Sequence, residues 1–182
     1  PMSHDKVSAG EKPPKEPGLY AWYFDHTLVN VVTSGCLRHE GFTLLYIGQA
    51  SNLRRRILKE HYGGNAAGST LRQTLGCLLQ DELSIRLQTT IRGKYTFGRE
   101  GKRLLSEWMQ LHARVAWASL EDSLIDWPSL EGEGRQQVLD RAEQRMIANY
   151  RLPLNLEHNL DHICGAVKRI RHACQVAAKG GK

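Results

Sequence analysis

The chain has 182 residues, enough for one domain with a proper core and an appended arm. Its 41% hydrophobic and 24% charged residues exclude a disordered or fibrous chain. The 25 Lys and Arg against 19 Asp and Glu leave a formal +6, which suits a polyanionic partner without identifying one. No apolar run reaches the roughly 20 residues that cross a bilayer, so no membrane partner is expected. The polar amino-terminal stretch lacks a signal-peptide core. Cys36, Cys77, Cys164 and Cys174 form no CxxC pair, which argues for reduced thiols and an intracellular, cytoplasmic protein.

Residues 1–17, with Pro13, Pro14 and Pro17 among lysines, show no periodicity and read as a disordered leader. Leu19 to Phe24 is aromatic-rich and predicts a strand. Residues 25–43 are mostly polar and place a hairpin tip near Val29, Val31 and Val32. Leu44 to Gly48 is a short strand, expected to pair antiparallel with the first. Ser51 or Asn52 can cap a helix reaching about Tyr62, and Gly63 and Gly64 stop it. Ser69 or Thr70 then caps a second helix with Leu71, Leu75, Leu78 and Leu79 on one face. Leu83, Ile85 and Leu87 alternate with polar residues in a half-buried strand pattern or an ordered extension, and Gly93 to Gly101 reads as a basic loop.

A helix over about 100–112 carries Leu104, Leu105, Trp108 and Leu111, and Arg114 to Ala118 is the third main strand. Residues 120–134 form an acidic loop. Arg135 to Tyr150 is a helix that Pro153 closes in a fixed turn. Asp161 to Ala178 repeats Ile163, Val167, Ile170 and Cys174 opposite Lys168, Arg169, Arg171 and His172, an amphipathic basic helix docked on the core or on a partner. The division expected is a leader (1–17), a main domain (18–156), and a carboxy-terminal basic helix with its tail (157–182).

Several residues carry chemistry. Glu143 falls inside the apolar arc of Val138, Leu139, Met146, Ile147 and Tyr150 rather than on the face with Arg141 and Arg145. A carboxylate there must be ion-paired, protonated or bound to a metal, and hard cations take carboxylate oxygen. Arg54, Arg55 and Arg56 make a basic helix face, by default solvated. Arg56 skirts the buried side beside Leu53 and Glu60, whereas Arg54 projects near His61. Guanidinium planes match two oxygens of a phosphodiester. Tyr20 and Tyr46 stand in adjacent strands. They are core aromatics on the simplest reading, yet with an arginine and a histidine beside them two phenols can orient a water. Lys94 and Arg99, in the basic segment Arg92 to Arg99, are further candidate phosphate contacts. His158, His162, Cys164, His172 and Cys174 lack zinc-ligand spacing.

In order, Gly18-Leu19-Tyr20, Tyr46-Ile47-Gly48, Arg56, Glu143 and Asn155 (in Pro153-Leu154-Asn155) resemble the signature of the GIY-YIG endonuclease superfamily. The first triplet has leucine for isoleucine. The family's histidine or tyrosine lies four residues after its arginine; here His61 lies five after Arg56, with Tyr62 as a possible stand-in. The resemblance spans roughly residues 18 to 155. It implies an α/β (α+β) domain with a small three-stranded antiparallel sheet flanked by helices. It also implies one Mg²⁺ or Mn²⁺ per site on Glu143, and hydrolysis of one DNA phosphodiester to 5′-phosphate and 3′-hydroxyl ends. On this reading Arg56 stabilises charge, Tyr46 or Tyr20 with His61 handles the water, and Asn155 holds the geometry. Gly48, Arg54, Arg55, Lys94 and Arg99 meet the substrate. Such an enzyme is nucleoid-associated, and a homodimer if it breaks both strands. The rival readings are a DNA-binding module that kept the fold without turnover, and a structure-specific repair nuclease.

Overall fold

A computed structural model of the chain describes residues 12–25, 28, 31–120 and 132–180. A four-stranded antiparallel sheet runs through it in the order β2-β3-β1-β6, with β1 at Gly18–Phe24, β2 at Arg38–His39, β3 at Phe42–Ala50 and β6 at Ala113–Ser119. β1 shows no polar alternation because both its faces are covered. Tyr20, Trp22 and Phe24 enter the larger core cluster, while Ala21 and Tyr23 enter a second one with Leu44, Ile47, Ala116 and Ile147. Helix α3 (Gly132–Asn149) lies against β3 and β1. The larger core also receives buried residues from a π-helix (Arg55–Tyr62), α1 (Thr70–Leu78), α2 (Gly98–His112) and α4 (Asp161–Gly180).

The three main strands and their antiparallel pairing are as expected, with Tyr20 opposite Gly48. The three-stranded sheet is corrected to four. Glu40 and Gly41 take positive φ, 48° and 82°, and this tight turn folds Arg38–His39 back onto Phe42 and Thr43 as an edge strand. The hairpin tip lies there and not at the valines; Val31 is buried and Val32 exposed outside any strand, and Val29 lies outside the described residues.

Two further expectations shift. Of the stretch 83–101, Gln88–Thr89 (β4) and Tyr95–Thr96 (β5) pair as a small hairpin, and α2 already begins at Gly98. A continuous alternating strand over 83–90 does not form, although Ile85 and Leu87 are buried as its pattern requires. The end of the leader is ordered: Leu53 and Arg54 donate their backbone N–H groups to the carbonyls of Glu16 and Pro14, and Leu120 to that of Pro17. The acidic loop is shortened by α3, which starts at Gly132; residues 121–131 lie outside the described residues, as do 1–11. No helix among the described residues is long and apolar enough to cross a membrane.

A bulge interrupts β3 next to the site. Trp22 pairs with Tyr46 but Tyr23 with Leu44, leaving Leu45 as the extra residue. Consecutive Leu45 and Tyr46 therefore both enter the larger core, while Leu44 and Ile47 enter the other. A bulge re-aims a side chain, and here it turns Leu45 to the face that carries Tyr20 and Tyr46.

Candidate active site

The π-helix brings Arg56 and His61 together. Its backbone closes i→i+5, as in the Gly63 N–H donated to the Leu58 carbonyl at 3.1 Å. Residues five apart thus recur on one face, where an α-helix would recur after four. Asn52 caps the start through the Arg55 N–H (2.9 Å). His61 is completely buried, its ring between the Tyr20 hydroxyl at Nε2 (2.8 Å) and the Ser69 hydroxyl at Nδ1 (2.8 Å). Burial, with Arg56 and Arg72 nearby, holds His61 well below the ordinary histidine range, so its ring is neutral.

The polar protons can then be placed in one consistent order. Ser69 Oγ caps α1 by accepting the Arg72 N–H (3.1 Å), so its own proton is free for His61 Nδ1. Nε2 of the neutral ring then carries the hydrogen and donates to Tyr20. The Tyr20 oxygen also accepts from Arg56 Nε at 3.2 Å, and the Tyr20 ring packs beside that of Tyr46, centroids 6.3 Å apart. Burial raises both phenols above the ordinary tyrosine range; Tyr46 alone borders a cleft, and Tyr20 is sealed. Gly48 is required by this packing: a Cβ there would lie 2.3 Å from the Tyr20 hydroxyl oxygen.

Arg56 is the arginine of the cleft. Its Nη1 donates to Glu60 Oε2 (2.6 Å) and to the Gly68 carbonyl (3.1 Å). Burial opposes the charge, but the Tyr20 phenol and the Glu60 carboxylate outweigh it, so Arg56 holds its proton more tightly than a free arginine. Arg55, largely exposed, pairs with the other Glu60 oxygen at 3.0 Å and lines the same cleft, about 230 Å³ in volume. Arg54 points elsewhere: its Nε donates to the Pro13 carbonyl at 2.7 Å and pins the leader. The expectation that Arg54 lies near His61 as a substrate contact rests on a 3.6-residue wheel that the π-helix does not follow.

Glu143 borders a second cleft of about 250 Å³ with Tyr46, Asn155 and His158. Burial raises its pKa, and Asp140 adds to this, whereas the Gln49 hydrogen bond works the other way. Gln49 reaches both clefts and divides them. Its amide donates to Glu143 Oε2 (3.0 Å) and Asp140 Oδ1 (2.5 Å), and its carbonyl accepts from Gln136 (3.0 Å). Among the described residues nothing donates to Glu143 Oε1. Asn155 is clamped to the backbone: it accepts from Ile47 N (2.9 Å) and donates to Ile47 O (2.7 Å), while Leu154 N–H bonds the bulge carbonyl of Leu45 (3.1 Å). The turn after α3 is thus tied to the strand that carries Tyr46.

Tyr46, Glu143 and Asn155 thus line one cleft and Arg55 and Arg56 the adjoining one, with Tyr20, Gly48 and His61 buried behind them. Lys94 and Arg99 lie apart from the residues lining both clefts. A model of the GIY-YIG catalytic domain matches residues 18–173. The chain belongs to the GIY-YIG family. The match covers β1 through most of α4, and it makes this a domain of a nuclease family. Neither the curated proteins nor the solved structures compared with the chain give a match.

Sequence reasoning alone overlooks several residues of this GIY-YIG site. Gln49, Ser69 and Asp140 are ordinary polar residues without a pattern. Arg72 did carry a signal, since it falls on the Leu75 and Leu79 side of α1. It is 1% exposed, and its guanidinium donates to the His61 and Tyr62 carbonyls (2.7 and 2.9 Å), to the Lys102 carbonyl and to Ser106. Those carbonyls end the π-helix, where a cation is favoured.

Proposed function

We propose that the domain is a divalent-metal-dependent DNA endonuclease or nickase that hydrolyses one phosphodiester per site to 5′-phosphate and 3′-hydroxyl ends. The observation that carries the reading is the hydrogen-bonded chain Ser69–His61–Tyr20, with Arg56 bonded to the same Tyr20 and with Tyr46, whose ring centroid lies 6.3 Å from that of Tyr20, bordering the cleft of Glu143.

Tyr46 is the phenol that can meet the attacking water. Its ring packs beside Tyr20 and borders the cleft, so its O–H would hold the water in line with phosphorus. His61 and Tyr20 are positioning residues, since neither reaches the cleft surface. Arg56, with Arg55 beside it, neutralises the non-bridging oxygens as charge gathers there, after exchanging Glu60 for phosphate. Asn155 fixes the strand under Tyr46.

The donor set fits Mg²⁺ or Mn²⁺. Among the described residues no three His, Cys, Asp or Glu side chains form a metal cage. Glu143, with one oxygen not engaged among the described residues, offers the single carboxylate that suits a cation keeping most of its waters and taking phosphate oxygen. Bound there, the ion would supply Lewis-acid stabilisation of the leaving 3′ oxygen.

The test incubates the protein with supercoiled, branched and modified DNA in Mg²⁺, Mn²⁺ or EDTA. Nicking or linearisation is expected only with metal, and end-labelling should report 5′-phosphates. Glu143→Gln should lower cleavage by about 10²-fold or more while DNA binding in EDTA persists. Cleavage by that variant at the parent rate would sink the metal assignment. A parent that binds but cuts nothing in the panel is the behaviour of a binding module.

A further inference from the structure

The β4–β5 hairpin lies outside the site, and its tip is unlike the rest of the surface. Thr90 and Lys94 close it: Thr90 N–H donates to the Lys94 carbonyl, Gly93 N–H to the Thr90 carbonyl, and Lys94 N–H to the Thr90 hydroxyl. Gly93 takes φ 72°, the left-handed conformation that such a turn requires. Ile91 therefore stands at the summit, 103% exposed, whereas the other large exposed apolar side chains among the described residues reach at most 68%. Arg92 and Lys94, both exposed, follow it closely in the tip, and neither forms an ion pair among the described residues.

The hairpin is braced from three sides, which a passive surface loop would not need. Phe97 at its base fills the space beside Gly76 of α1, where a Cβ would sit 2.2 Å from the phenyl ring. Thr89 Oγ donates to the Ala178 carbonyl of α4 at 3.1 Å. β5 packs against the 3₁₀ turn Ala66–Gly68, whose Gly68 carbonyl holds Arg56. The hairpin is thus connected through this turn to the arginine of the cleft.

We propose that this hairpin is a wedge for duplex DNA: Ile91 enters between two base pairs, and Arg92 and Lys94 hold the flanking phosphates. A fully hydrated isoleucine gains by leaving water, and apolar wedges with adjacent cations unstack base steps and bend the duplex. The inference rests on the reading of DNA as substrate and adds to it how the duplex is deformed beside the scissile phosphate.

The experiment relaxes closed circular plasmid with a metal-independent topoisomerase in EDTA, with and without the full chain, and reads the linking number on a gel. The parent is expected to unwind the plasmid. Ile91→Ala, which removes no contact within the protein, should bind DNA yet lose most of that shift. Arg92→Ala with Lys94→Ala should flatten the dependence of log affinity on log salt by about 2. Equal unwinding by Ile91→Ala and the parent, or a parent that binds without unwinding, overturns the wedge. A parent that unwinds in EDTA but never cuts with Mg²⁺ supports the wedge and sinks the nuclease reading; one that cuts without unwinding does the reverse.

Discussion

At the scale of single residues, His61 is governed by what surrounds it rather than by access to substrate. A ring with no exposure cannot touch DNA, so its contribution passes through the Tyr20 hydroxyl. Its folded-state pKa lies below the ordinary value of about 6.5. The unfolded chain therefore takes up a proton first as pH falls. The stability that neutral His61 supports is present above about pH 6.5 and is lost on acidification below it. Urea unfolding between pH 7 and 5 should reveal this as a slope of up to about 1.4 kcal/mol per pH unit, and His61→Gln should flatten that slope while lowering stability at pH 7. An unchanged slope in the variant would contradict the assignment of a buried neutral ring. Glu143 shows the same logic from the sequence side: its place inside an apolar arc is legible because helix α3 is regular. Arg72 was open to that reasoning on α1 and is the more buried of the two.

At the scale of elements, the π-helix explains why His61 sits five residues after Arg56. An inserted residue in an α-helix would rotate everything beyond it by about 100°; a π-turn absorbs it and returns His61 to Tyr20. The prediction is specific. Deleting exposed Lys59 should convert the turn to α geometry and keep the Arg56 and His61 contacts, with Tm changed by no more than about 5 °C. Deleting a residue from the middle of α2 should instead unfold the chain, and thermal melts of the two variants distinguish the cases. This irregularity is not legible in sequence, because periodicity arguments presuppose 3.6 residues per turn. The same limit hides β2, whose two residues are too few for any alternation, and β4 with β5. In contrast, β1, β3 and β6 are legible from dense apolar and aromatic runs bounded by polar turns. The bulge at Leu45 escapes notice because Leu44, Leu45, Tyr46 and Ile47 are all apolar, so an unbroken run conceals which face each residue takes.

For the whole molecule, the +6 charge becomes an argument once it has places. Arg55 and Arg56 line a cleft, Arg92 and Lys94 stand at a hairpin tip, and Arg99 begins the exposed face of α2. If all five meet phosphates, log affinity for duplex DNA should fall against log salt with a slope of about −4 to −5. Fluorescence anisotropy across a salt series in EDTA measures this, and a slope near zero would exclude a phosphate-tracking surface. The two clefts lie side by side with Gln49 as their common wall, so the arginine-lined cleft adjoins the cleft of Glu143.

The Asn155 clamp has a second effect, on the solubility of the sheet. Beyond Thr43 the outer side of β3 has no strand partner among the described residues, and such an open edge is a template for another chain. Asn155 and Leu154 occupy it by bonding Ile47 and Leu45 as a neighbouring strand would. Asn155→Ala should therefore do more than loosen Tyr46: it uncovers backbone donors and acceptors, and light scattering on warming should show self-association at lower temperature than in the parent. The side chain that steadies the site also acts as a stopper against intermolecular sheet growth.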